Sequence, residues 1–252
     1  MFAKLKTILL AALVAAAGLA SSPASAMTVQ PVVLNLATVG RDMTQVLTVT
    51  NSFAFAIAVE LKIEELTVDA EGVQGTGKDP GDLLVFPPQA SIRPGQTQSF
   101  RVQYVGDPAL ARSRHYYVTV AQLPVQVQQG GAAAVQVLYN FQVLVSVAPQ
   151  GTKPAIRVDR AAVERTADGK AVPVVSFSNP SPAHGYLSNG RIRVVQRDAA
   201  GREAFRKVLS APEVQQAIGY GLIGAGQTRK VTLPIELPQA GGTLEAQYTP
   251  DS

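Results

Sequence analysis

Apolar and polar residues alternate along residues 132–149, AAAVQVLYNFQVLVSVAP, with Val135, Val137, Tyr139, Phe141, Val143, Val145 and Val147 sharing one face. A period of two is the pattern of a β-strand with one side buried. The run spans about 13 residues, roughly twice the usual strand length. Its length raises the question of what covers its far end.

Shorter runs rich in Val, Thr, Ile and Phe predict strands near 28–36, 43–50, 55–65, 83–86, 96–104 and 115–123. Turn residues separate them at Gly40-Arg41-Asp42, Asn51-Ser52, Glu71–Asp82 and Pro94-Gly95,. With the run at 133–147 the count is seven, which suits an immunoglobulin-like sandwich. The Pro- and Gly-containing stretch APQGTKP at 148–154 reads as a break between domains,. Beyond it, strands are expected near 155–163, 172–178, 186–197, 227–235 and 243–248. Only APEVQQAI, 211–218, has helical character, with Pro212 near its start,. The expectation is an all-β chain of two immunoglobulin-like sandwiches, over 27–148 and 155–252, joined by a linker at 149–154.

The first 26 residues do not belong to this pattern. Lys4 and Lys6 precede an apolar run from Ile8 to Ala20, and Ala24-Ser25-Ala26 supplies a small-x-small cleavage pattern. That is the plan of an export signal peptide, and its apolar run is shorter than the ~20 residues a membrane span needs. Export would leave 20 basic and 18 acidic residues. The small excess is scattered, densest in RSRH at 112–115 and RIRVVQR at 191–197, and reads as solvated strand faces without nucleic-acid binding. With no cysteine, the exported chain must be held by packing alone, and thiol catalysis and thiolate metal sites are excluded.

Candidate chemistry is sparse. The two histidines, His115 and His184, fall in different predicted domains and read as surface or rim residues. Glu64-Glu65 and Glu71 read as solvated charges. GVQGTGK at 72–78 lacks both the spacing and the following helix of a phosphate loop, since Asp79-Pro80-Gly81 comes next,. No metal-ligand spacing and no nucleophile elbow is present, so neither enzyme activity nor a cofactor is expected.

The stretch from Leu83 onward carries a resemblance. Pro87-Pro88, the Pro94-Gly95 turn, Arg101-Val102, the aromatic strand HYYVTVAQLPV closing on Pro124, and NPSPAHGY at 179–186 resemble the PapD-like periplasmic pilus chaperones. The resemblance covers most of residues 28–186. It implies two sandwiches set as a boomerang, in the periplasm, working without ATP. It also implies that the last strand of the first domain is lent to pilus subunits that lack a strand of their own. The donor residues would be Val135, Val137 and Tyr139. Delivery would be to an outer-membrane usher, and the free protein is expected to cap its own strand as a dimer.

The family's usual subunit anchor is an Arg on the first strand and a Lys late in the donor strand. Those positions fall on Asn35 and Leu144, and no Arg or Lys occurs within 27–40 or 126–151. The resemblance therefore implies a divergent branch whose clients are held without the cationic pair. The competing expectation is a secreted structural or adhesive protein of two sandwiches, in which the alternating strand is ordinary core.

Overall fold

An alternating segment becomes a strand only where a neighbour accepts its backbone hydrogen bonds. The computed structural model describes residues 26–124 and 137–251. Residues 1–25 of the expected signal peptide, and Val135 of the expected donor stripe, lie outside the described residues. The first sandwich contains β1 (Met27–Gln30), β2 (Val33–Ala37), β3 (Thr44–Asn51), β4 (Ile57–Val68), β5 (Val73–Gly75), β6 (Leu83–Phe86), β7 (Gln89–Ile92), β8 (Thr97–Tyr104), β9 (Arg114–Leu123) and β10 (Asn140–Ala148).

These strands form two sheets. One runs β1-β3-β8-β6, and the other runs β2-β10-β9-β4-β5 with β7 also on β4. The pairs are antiparallel except β2 with β10, which is parallel. Alternate residues from both sheets point inward, so Leu34, Leu47, Val49, Phe100, Val102, Val118, Val143 and Val145 share one buried core,. At its edge the Tyr116 hydroxyl donates to Asp82 at 2.7 Å, and Arg114 pairs with both Asp82 and Glu65. Desolvation, then the bond to Asp82, pushes the Tyr116 phenol far above its ordinary range, so it remains protonated,.

The second sandwich contains β11 (Arg157–Arg165), β12 (Ala171–Asn179), β13 (Gly185–Tyr186), β14 (Gly190–Arg197), β15 (Glu203–Leu209), the helix α1 (Ala211–Ile218), β16 (Leu222–Ile223), β17 (Gln227–Thr232) and β18 (Thr243–Pro250). Its sheets are β11-β12-β17 and β15-β14-β18, with β13 and β16 as a separate short pair. Val175, Phe177, Ile192, Val194, Val214 and Leu233 fill the space between them. Helix α1 begins where the Glu213 carboxylate accepts the Ser210 backbone N–H at 2.8 Å,.

Three departures from the sequence pattern stand out. The single strand expected at 28–36 divides at Pro31-Val32, and its halves join different sheets. Proline has no N–H to give a ladder. β5, which falls in the loop expected at 71–82, and β7, β15 and β16 lie outside the expected strands. β15 is an edge strand whose residues are mostly exposed, so no apolar alternation marks it. Finally, among the described residues the run expected at 133–147 is a paired strand from Asn140, with 137–139 ahead of it outside any strand. The ladder that β10 shares with β9 starts at Asn140 opposite Ala121, two residues before β9 ends at Leu123.

Candidate functional site

β10 has a paired half and an open half. On one side it pairs with β9 along Asn140–Val147. On the other it meets β2 only from Leu144 to Ala148. The Leu144 N–H donates to Val32 O at 3.1 Å, and the Gln122 N–H donates to Tyr139 O at 2.9 Å. Even-numbered residues of β10 therefore turn their backbone groups toward the β2 side, and odd-numbered ones toward β9. Among the described residues no strand covers Asn140 and Gln142 on that side, so their backbone donors and acceptors form an open edge.

The side chains follow the same progression. Val147, Val145 and Val143 are fully buried, Phe141 is half-buried, Tyr139 is 41% exposed and Val137 is 60% exposed. One apolar face thus begins inside the core and runs out beyond it. Stripe and edge together offer what a sheet lacking a strand needs: unpaired backbone groups and protruding apolar side chains in register.

The two anchor-equivalent positions sit at the other end of this sheet, against the second sandwich. Leu144 lies opposite Val33, and Asn35 lies opposite Ser146. Leu144 packs with Val33, Val68, Tyr186, Leu222 and Tyr220 in an apolar cluster spanning both sandwiches. Gly221, at φ +63°, turns the chain toward β16, and its carbonyl accepts the Leu187 N–H at 3.0 Å,. That turn delivers Leu222 to the cluster.

Beside the apolar contact runs a chain of hydrogen bonds. Leu66, His115, Ser146 and Asn35 form one row across β4, β9, β10 and β2. From the second sandwich, His184 Nε2 lies 3.0 Å from Asn35 Oδ1, and the Tyr186 hydroxyl lies 2.9 Å from both Asn35 Oδ1 and Ser146 Oγ. His115 Nδ1 lies 2.9 Å from Ser146 Oγ, and His184 Nδ1 lies 3.0 Å from Ser113 Oγ. A carboxamide oxygen only accepts, so His184 carries its proton on Nε2 and accepts from Ser113 through Nδ1. His115 Nε2 is buried with no partner among the described residues.

Both imidazoles are held neutral. Desolvation takes His115 from 6.5 down to about 3, helped by the neighbouring His184, and takes His184 down to about 4,. Their rings meet edge-on at 5.3 Å. The expectation of two rim histidines is therefore corrected: they are 4% and 8% exposed and in contact across the domain boundary. Fold topology brings them together, and sequence spacing could not show it. The Tyr186 phenol is likewise pushed up to about 12, chiefly by burial. The network contains no cation, so it offers neutral hydrogen bonds in place of charge.

Replacing Tyr186 by Phe removes one partner from Asn35 and one from Ser146. At about 0.5–1.5 kcal/mol per bond, the expected loss is about 1–3 kcal/mol. That lowers the melting temperature by about 2–4 °C for each kcal/mol. A thermal melt superimposable on that of the wild type would show that the network does not hold the sandwiches together. Among the described residues no group of three or more His, Asp or Glu is placed to hold a metal ion.

The family model for the N-terminal domain of PapD, described as a pili and flagellar-assembly chaperone, matches residues 27–153. No curated protein matches the chain. Among solved structures the chain is similar to one from the CsuC–CsuE chaperone–tip adhesion subunit pre-assembly complex of the archaic chaperone-usher Csu pili of Acinetobacter baumannii. The identity is 11%, covering 89% of this chain and 98% of that one, with a TM-score of 0.52. It is also similar to a chain of the Salmonella enterica SafA pilin–SafB chaperone complex, at 13% identity, 85% and 86% coverage and a TM-score of 0.52. The E. coli chaperone DraB matches at 16% identity, with 89% and 98% coverage and a TM-score of 0.51. Likeness at these identities is a likeness of fold.

Proposed function

This chain belongs to the PapD family of pilus and flagellar-assembly chaperones, and from that premise we propose that it works by donor-strand complementation in the periplasm. It lends the open edge of β10 to pilus subunits that lack a strand and holds them for delivery to an outer-membrane usher. The observation that carries this reading is the coincidence of a free backbone edge at Asn140 and Gln142 with an apolar face, through Phe141, Tyr139 and Val137, that leaves the core. Val135, outside the described residues, is a further proposed donor by the alternation of the sequence.

The energetics suit the task. Backbone pairing contributes about 0.5–1.5 kcal/mol per bond regardless of client sequence. Each apolar side chain seated in the client's groove adds roughly 1.5–3 kcal/mol. No nucleotide is required, because the strand is already extended and its ordering entropy is largely spent on folding. The client's C-terminus would meet Asn35, whose side chain offers a neutral hydrogen bond where the family commonly places a cation. A neutral bond is worth about half a charged one, so the stripe and edge would carry more of the affinity here.

The direct test is coexpression in the periplasm with a strand-deficient pilus subunit from the same genome, followed by purification through a tag on this chain. A soluble one-to-one complex supports the reading. Subunit that remains aggregated and never copurifies would overturn it.

A further inference from the structure

Next to the open edge lies a second apolar surface that strand donation by itself does not use. The β3–β4 connection reads Ser52-Phe53-Ala54-Phe55-Ala56. Phe53 and Phe55 stack, with ring centroids 5.1 Å apart and planes at 23°. The Tyr139 ring lies 5.9 Å from that of Phe53. Phe53 packs down on the core of the first sandwich, whereas Phe55 is 51% exposed.

The connection is held in this shape from below. Asn51 is fully buried. Its Nδ2 donates to Phe55 O and to Ile92 O, both at 2.9 Å, and its Oδ1 accepts the Phe53 N–H at 2.9 Å. One buried carboxamide thus fixes the backbone at both phenylalanines. An aromatic ring displayed on a clamped loop loses little entropy when it binds.

We propose that Phe53 and Phe55 form an aromatic shelf that seats an apolar side chain of the same client whose sheet β10 completes. The inference rests on the strand-donation reading. Its occupant is chosen by continuity: Tyr139 belongs to the exposed stripe and its ring lies against Phe53, which stacks on Phe55, so a client groove that takes in Tyr139 comes up against the shelf. A subunit lacking a strand exposes core residues along its groove, and stacked rings with centroids inside 7 Å suit aromatic or branched aliphatic partners. The shelf would make recognition depend on which apolar residue the client places there, whereas backbone pairing is indifferent to sequence.

The test introduces the photo-crosslinker p-benzoylphenylalanine at position 55, and separately at position 137, in the full chain coexpressed with the strand-deficient subunit. The expected result is that both positions crosslink to the same subunit. Phe55→Ser should lower subunit recovery about tenfold without moving the melting temperature, and Phe55→Leu should retain most of it. Crosslinking from 137 but not from 55, or from 55 to a second copy of this chain or to an outer-membrane protein, overturns the shelf and leaves strand donation standing. No subunit crosslink from either position overturns both.

Discussion

Val137→Asp abolishes stable client binding while leaving the free protein folded: that is the largest effect expected of any single substitution here. Val137 is 60% exposed, so a carboxylate there remains hydrated in the unbound chain and the melting temperature stays within a degree or two. In the proposed complex the same position would enter an apolar groove of the subunit. The loss of about 1.5–3 kcal/mol of burial adds to several kcal/mol for desolvating an unpaired carboxylate. Affinity should fall at least about 100-fold, since each 1.4 kcal/mol is tenfold. Isothermal titration, or recovery of the copurified subunit, reads this directly. Val137→Ile, which keeps the apolar surface, should bind as the wild type does. Equal affinities for the Asp and Ile variants would remove side-chain insertion from the mechanism.

Acid should loosen the contact between the sandwiches, and this is the second large effect. His184 and His115 titrate at about 4 and about 3 in the folded chain, against 6.5 when solvated. Above pH 6.5 both are neutral whether the interface is closed or open, and they contribute no pH dependence. Below 6.5 the opened or unfolded state takes up protons that the closed state refuses, so stability falls as pH falls. For each histidine the loss approaches about 1.4 kcal/mol per pH unit, until its folded-state value is reached. The groups in contact with the pair are the Tyr186 phenol, Ser113, Ser146 and Asn35. None of these supplies an unpaired carboxylate that would stabilise an imidazolium. Chemical denaturation between pH 7 and pH 4.5 should show a steep decline for the wild type and a shallower one for His184→Gln. Parallel curves for the two proteins would mean that His184 is not buried neutral at the interface.

The fold was legible in the sequence wherever one side of a strand faces a core. β3, β4, β8, β9 and the inner half of β10 alternate because their sheet has a dry face, and α1 announces itself through Pro212 and the missing alternation around it. β15 left no signal, because an exposed edge strand gains nothing from alternating apolar residues. The stripe on which the proposed donor site rests was readable in part. Val137 and Tyr139 stand out as apolar residues continuing a core pattern past the end of the core. The interdomain network was not readable, since its members come from positions 35, 113, 115, 146, 184 and 186 and meet only through tertiary packing. Ser146 illustrates the difficulty. Parallel pairing puts it, two residues beyond Leu144, opposite Asn35, and this register depends on where β2 begins after Pro31.

Phe55 carried its own weak sign, a large apolar residue in a turn flanked by alanines. It falls at the start of the strand expected at 55–65, and single exposed phenylalanines are common on protein surfaces. What separates it from that background is the stacking with Phe53 and the Asn51 clamp, and both are three-dimensional facts.

Hydrogen–deuterium exchange at single-residue resolution, with and without a strand-deficient subunit, tests the central claim most directly. The account predicts that the amides of Asn140 and Gln142 exchange quickly in the free chain and become strongly protected in the complex. Val143 and Val145, already paired with β9, should be slow in both. Unchanged exchange at Asn140 and Gln142 in a stable complex would show that the client binds elsewhere, and that β10 donates nothing.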